Sequence, residues 1–132
     1  MLMYAMMAAL AVSTAVPDVP GLLFDRVPVG HNSTYEAASC FDVNNDGVKD
    51  IFCGAYWYEG PGFTANHKVC TPWYIDTYYD DFSNYPMDVN GDGYLDVVTG
   101  GYFGAVLQWR ENPKGGPGQW TDRKSTRLNS SH

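Results

Sequence analysis

Two nine-residue stretches of the chain carry the same pattern of oxygen-bearing side chains. The first is Asp42-Val43-Asn44-Asn45-Asp46-Gly47-Val48-Lys49-Asp50, and the second is Asp88-Val89-Asn90-Gly91-Asp92-Gly93-Tyr94-Leu95-Asp96. Their first residues, Asp42 and Asp88, lie 46 positions apart. Each stretch runs into a short apolar segment and a glycine, Ile51-Phe52-Cys53-Gly54 and Val97-Val98-Thr99-Gly100. The likeness extends further, because Trp57-Tyr58-Glu59-Gly60-Pro61 parallels Trp109-Arg110-Glu111-Asn112-Pro113 after a longer insert. A self-similar unit of this length marks a chain built from stacked supersecondary repeats.

The unit reads as strands. Ile51-Phe52-Cys53, Tyr56-Trp57-Tyr58, Leu95 to Thr99 and Val106 to Trp109 are rich in apolar, aromatic and β-branched residues. Leu22-Leu23-Phe24 and His67-Lys68-Val69 are weaker candidates. Gly and Pro punctuate at short intervals, as at Gly60-Pro61-Gly62 and Pro113 to Gly118. No stretch after residue 15 has a helical period. The expected class is all-β: a partial β-propeller of about two blades, each a four-stranded antiparallel sheet with a calcium-binding loop. Two blades do not close a ring, since propellers take about 4–8. A chain with only two is expected to aggregate or to stay partly disordered.

The acidic loops carry the chemistry. Oxygen ligands fall at the first, third, fifth and ninth places: Asp42, Asn44, Asp46 and Asp50 in one loop, and Asp88, Asn90, Asp92 and Asp96 in the other. The seventh residues, Val48 and Tyr94, would offer their carbonyl oxygens. Gly47 and Gly93 give the backbone freedom for a sharp bend. Six to eight hard oxygens in flexible geometry suit calcium, whereas zinc would want His or Cys. One ion is therefore expected per loop. A polar hairpin turn is the plainer alternative for one such loop, but two full matches argue against coincidence. An EF-hand needs an acid at the twelfth place. Cys53 and Thr99 stand there, and the segments after the loops are strand-like where an EF-hand would have a helix.

The pattern D-x-N-x-D-G-x-x-D followed by an apolar triplet and glycine, at Asp42 to Gly54 and Asp88 to Gly100, resembles FG-GAP and VCBS repeats. These occur in integrin α-subunit propellers and in many secreted bacterial proteins. The resemblance implies a propeller with calcium held in loops between blade strands. It does not imply one activity. The leading expectation is an extracellular module that recognises a protein or a glycan. The alternatives are the start of a propeller in a secreted polysaccharide lyase or hydrolase, and a purely structural scaffold. No catalytic constellation stands out: His31 and His67 lack an acid or nucleophile at motif-like spacing. Asp80-Asp81 reads as a solvated loop sooner than as another cation site. The aromatic runs Tyr56-Trp57-Tyr58, Trp73-Tyr74 and Tyr78-Tyr79 are sooner packing residues than sugar-stacking platforms.

The ends need separate treatment. Residues 1–15 are apolar and uncharged, shorter than a membrane span, and end in small residues, which reads as a secretory signal peptide. Residues 16–121 form the repeat region. The last eleven residues, DRKSTRLNSSH, resemble a translated short-read sequencing adapter, so residues 122–132 are expected to be an unstructured artefact, with the natural sequence continuing past Thr121. The formal charge is −7, and that tail contributes +2, which leaves −9 for the rest. So acidic a chain disfavours nucleic acid and anionic membranes as partners. Secretion would permit a disulfide among Cys40, Cys53 and Cys70. Cys40 and Cys53 bracket the first loop and are one pairing, and Cys53 with Cys70 is another. Asn32-Ser33-Thr34 is a glycosylation acceptor for a host that uses such sites.

Overall fold

The computed structural model describes residues 21, 23–30, 34–103 and 107–124. The expected signal peptide at residues 1–15, His31, Asn32 of the expected sequon and residues 125–132 lie outside the described residues. Among the described residues there are ten strands and no helix. The first four are β1 (Ala38–Phe41), β2 (Asp50–Cys53), β3 (Tyr56–Tyr58) and β4 (Asn66–Lys68). A small hairpin follows, made of β5 (Tyr74–Ile75) and β6 (Tyr78–Tyr79). The last four are β7 (Tyr85–Met87), β8 (Asp96–Gly100), β9 (Leu107–Glu111) and β10 (Thr121–Lys124).

The strands make two four-stranded antiparallel meanders of the same design. Sheet 1 runs β1-β2-β3-β4, and sheet 2 runs β7-β8-β9-β10. Registers agree between them: Phe41 faces Asp50 in one, and Met87 faces Asp96 in the other. Likewise Phe52 faces Trp57, and Val98 faces Trp109. The acidic loops occupy equivalent places, joining β1 to β2 and β7 to β8. β7 contains Pro86, which donates no backbone hydrogen bond, and β7 lies at the end of its sheet where that loss is tolerated.

Two expectations are corrected. Leu23 and Phe24 were expected in a strand, but they are exposed and belong to none. Among the described residues no strand pairs with them. Residues 122–124 were expected to be unstructured, yet they extend β10, with Asp122 opposite Arg110 and Arg123 opposite Trp109. Charge favours that register. Arg110 Nε donates to Asp122 Oδ1 at 3.2 Å, and Arg123 Nη2 lies 2.6 Å from Glu111 Oε2.

The core lies between the sheets. Alternation along β2 and β3 turns Phe52 and Trp57 to one face, and pairing adds Phe41 from β1. Sheet 2 covers this face with its opposite side, which carries Val97, Thr99 and Arg110, all buried. Trp120 seals the contact: its ring centre lies 5.5 Å from that of Phe52, and its backbone N–H donates to the Val69 carbonyl at 2.8 Å.

Candidate metal centres in two acidic loops

Each loop is wound by its own side chains. In the first, Asp42 Oδ1 accepts the Asp46 N–H at 3.1 Å and Oδ2 accepts the Gly47 N–H at 2.8 Å. Asn44 Oδ1 accepts the Asp46 N–H at 3.1 Å, and Asp46 Oδ1 accepts the Val48 N–H at 2.7 Å. The second loop repeats the scheme. Asp88 takes the Asp92 and Gly93 N–H groups at 3.1 and 3.0 Å, Asn90 takes Asp92, and Asp92 takes Tyr94, both at 3.0 Å. The fourth and sixth residues hold positive φ in both loops: Asn45 at 61° and Gly47 at 88°, Gly91 at 75° and Gly93 at 89°. Only Gly and, less readily, Asn adopt that conformation at low cost.

The ninth aspartates do something the spacing did not reveal. Asp50 is fully buried, and its two oxygens accept the N–H groups of Val43 and Gly60, each at 2.8 Å. Asp96 is buried in the same way and accepts from Val89 at 3.0 Å and Asn112 at 2.8 Å. Each therefore ties the start of its loop to a residue one or two places past the third strand of its sheet. Burial pushes the Asp96 carboxyl above its usual range, and the two backbone N–H donors pull the other way.

The loops also touch one another. Asn45 Nδ2 donates to the Gly93 carbonyl at 2.9 Å. Asn112, buried between the sheets, donates to the carbonyls of Val43 and Leu95 at 2.9 and 3.0 Å, and its Oδ1 accepts the Gly115 N–H at 2.8 Å. Gly115 sits so close that an added Cβ would meet the Asn44 backbone at 2.7 Å.

The donor set suits a hard cation: each loop offers aspartate oxygens, one Asn carbonyl and backbone, without sulfur or imidazole. After these bonds each carboxylate oxygen keeps acceptor capacity. Asn44 Nδ2 donates to Asp46 Oδ2 at 2.9 Å, and Asn90 Nδ2 donates to Asp92 Oδ2 at 3.3 Å, so in each loop the third residue's amide meets the fifth residue's carboxylate. Val48 and Tyr94 lie at the exposed and half-buried rims. Among the described residues no three Asp, Glu, His or Cys side chains are gathered closely enough to hold a metal ion. Ligation of the expected kind therefore requires the carboxylates of the first and fifth places to turn inward together.

Other residues singled out in the sequence have structural partners. His67 stacks on Trp57 with ring centres 4.2 Å apart and lies 3.2 Å from Glu59 Oε2. Asp81 is not in a solvated loop. It is fully buried, and its Oδ1 accepts from Thr99 Oγ1 at 2.7 Å and from Arg110 Nη1 at 3.2 Å. These three residues stand where the first repeat has Tyr35, Cys53 and Tyr58, and that joint replacement was the signal available in the sequence. No disulfide joins Cys40, Cys53 and Cys70. The register explains this for the first pair, because Cys53 faces Ala38 and Cys40 faces Ile51. No family model, curated protein or solved structure matches the chain.

Proposed function

We propose that the chain belongs to a secreted repeat module of the FG-GAP/VCBS type, a β-propeller whose loops bind calcium and which serves in recognition of a protein or glycan. The observation that carries this reading is the position-for-position duplication of the loop geometry. Two sequences that differ at the fourth, seventh and eighth places wind into the same turn, with the same acceptors on the same N–H groups. A polar hairpin needs no such duplication, and a ligand common to both loops accounts for it.

Asp42, Asn44, Asp46 and Asp50, with the Val48 carbonyl, would hold one ion. Asp88, Asn90, Asp92 and Asp96, with the Tyr94 carbonyl, would hold the other. The ion supplies charge neutralisation, since each loop places three aspartates within nine residues. The chain's own residues do the rest: Asp50 and Asp96 hold the loop ends to the sheets, and Asn45 and Asn112 hold the loops together. Extracellular calcium modules bind with a Kd of about 10⁻⁴–10⁻³ M. At ten times Kd, each site adds about 1.4 kcal/mol to stability.

The test is calorimetric titration of the whole chain with calcium, beside terbium luminescence. The variant is the double substitution Asp46→Asn and Asp92→Asn, which preserves shape and an acceptor for the Val48 and Tyr94 N–H groups. Calcium affinity should fall by about tenfold or more with the ligand charge. Unchanged affinity would remove these residues from the ligand set. The recognition half is read on a glycan array with calcium or with chelator present.

A further inference from the structure

Alternation along β3 puts Trp57 on the face of sheet 1 that meets sheet 2, and Tyr56 and Tyr58 on the outer face. Pairing with β4 sets Asn66 beside Tyr58 on that outer face. A cleft of about 610 Å³ opens over these three residues, a size usual for small-molecule sites. One wall is the turn between β3 and β4, which carries Phe63 and Thr64. Two backbone bonds pin that turn: the Phe63 N–H donates to the Glu59 carbonyl at 2.9 Å, and the Glu59 N–H to the Ala65 carbonyl at 3.0 Å. Phe63 is held at a φ of 53°, a conformation that costs a bulky side chain energy and that clusters at ligand clamps. The other wall is formed from residues 27–30. Gly30 approaches so closely that an added Cβ would meet the Tyr58 hydroxyl oxygen at 2.7 Å.

The lining of the cleft carries no charged side chain. At the place of Tyr58, sheet 2 has Arg110, which is buried in ion pairs with Asp81 and Asp122. The repeat itself therefore does not demand an aromatic ring there. Among the described residues nothing hydrogen-bonds the Tyr58 hydroxyl, the Thr64 hydroxyl or the Asn66 side-chain amide. Thr64 and Asn66 are exposed at the mouth, whereas Tyr58 lies at the floor and is 8% exposed. A polar group so nearly buried without a partner is costly, and a ligand group that bonds it removes the cost.

We propose that this cleft on the outer face of sheet 1 binds a neutral saccharide of one or two rings. The rings of Tyr56 and Phe63 offer apolar faces to the C–H side of a sugar ring. The Tyr58 and Thr64 hydroxyls and the Asn66 amide each both donate and accept, which matches sugar hydroxyls, since these also do both. The uncharged lining gives an acidic sugar or a sugar phosphate no partner and leaves its charge poorly solvated. The assignment rests on the recognition half of the function proposed above, for which it names the ligand class, and not on the calcium half.

The test is calorimetric titration of the whole 132-residue chain with cellobiose, maltose and lactose, each to about 10 mM, with calcium and with chelator. At least one sugar should bind saturably, and digalacturonate should bind at least about tenfold more weakly. Phe63→Gly relieves the backbone at that φ while removing the ring, so it should weaken binding by about tenfold or more without lowering the melting temperature. Tyr56→Ala should weaken binding to a similar degree, and Trp73→Ala, on the exposed hairpin, should leave it unchanged. In the unmodified chain, nuclear Overhauser contacts should join sugar ring protons to the Tyr56 ring, which reads the site even where a variant fails to fold. No heat from any of the three sugars, undiminished binding in both Phe63→Gly and Tyr56→Ala, or equal affinity for digalacturonate overturns the proposal. Heat from a neutral proline-rich peptide, with none from the sugars, would replace the saccharide with a polypeptide. Sugar binding by a chain that takes up no calcium leaves this proposal standing and removes the calcium half of the reading, whereas calcium uptake without sugar binding removes this proposal alone.

Discussion

Asn112 connects distant parts of the described chain. It binds carbonyls 69 and 17 positions away in the chain and accepts a third bond from Gly115. Replacing it with Ala leaves two carbonyls between the sheets without a donor, at roughly 1–3 kcal/mol each. Urea unfolding of Asn112→Ala should therefore show a loss of about 2–6 kcal/mol, well beyond that of the exposed Asn45→Ala. Cys70 gives a second prediction. Burial raises its thiol from 9.0 to about 11, so the folded state keeps a proton that the unfolded state releases. Its contribution to stability is complete below pH 9.0 and is lost as pH rises through about 11. At pH 8 an alkylating reagent should label the exposed Cys40 and leave Cys70 untouched until the chain unfolds. The two acidic loops and their shared turn were legible in the sequence by residue type and spacing. The inward turn of Asp50 and Asp96 was not, because a ninth-place acid looks the same whether it faces an ion or two backbone N–H groups.

The strands divide according to where their stability comes from. β2, β3, β8 and β9 were legible because apolar, β-branched and aromatic residues dominate them, and the weaker β4 was found within two residues of its bounds. β1 and β7 were not. Ala38-Ser39-Cys40-Phe41 has no strand bias of its own and becomes a strand by pairing with β2. Tyr85-Pro86-Met87 carries a residue that argues against a strand, and only its place at a sheet end admits it. The β5–β6 hairpin holds two residues per strand, too few for any periodic signal. The contact between sheets depends heavily on Trp120, whose residue is 5% exposed. Trp120→Ala should cost about 3–5 kcal/mol in chemical denaturation. Trp120→Phe should cost clearly less, since the indole N–H has no acceptor among the described residues. Trp73, which is mostly exposed on the hairpin, should tolerate Ala within about 0.5 kcal/mol.

For the whole molecule, the sequence period announced two like units, and the structure supplies two like sheets. How they stack could not be read from the period, because either face of a sheet can be apolar. The stacking is set by the polar substitutions in the second unit. Asp81, Thr99 and Arg110 form a hydrogen-bonded set on the side of sheet 2 that meets sheet 1. Asn112 and Trp120 add the complementary amide and ring.

The ninth-place aspartates have one more consequence, for the hairpin tips. Gly54 and Ala55 alone separate β2 from β3, while residues 101–106 separate β8 from β9, yet Asp50 and Asp96 make the same two bonds in both sheets. The clasp spans the base of the hairpin, so its two bonds do not depend on the length of the tip. A short epitope or affinity tag spliced between Phe103 and Leu107 should leave the melting temperature nearly unchanged, whereas the same splice between Gly54 and Ala55, where an added Cβ on Gly54 would run into the Tyr35 ring, should lower it sharply.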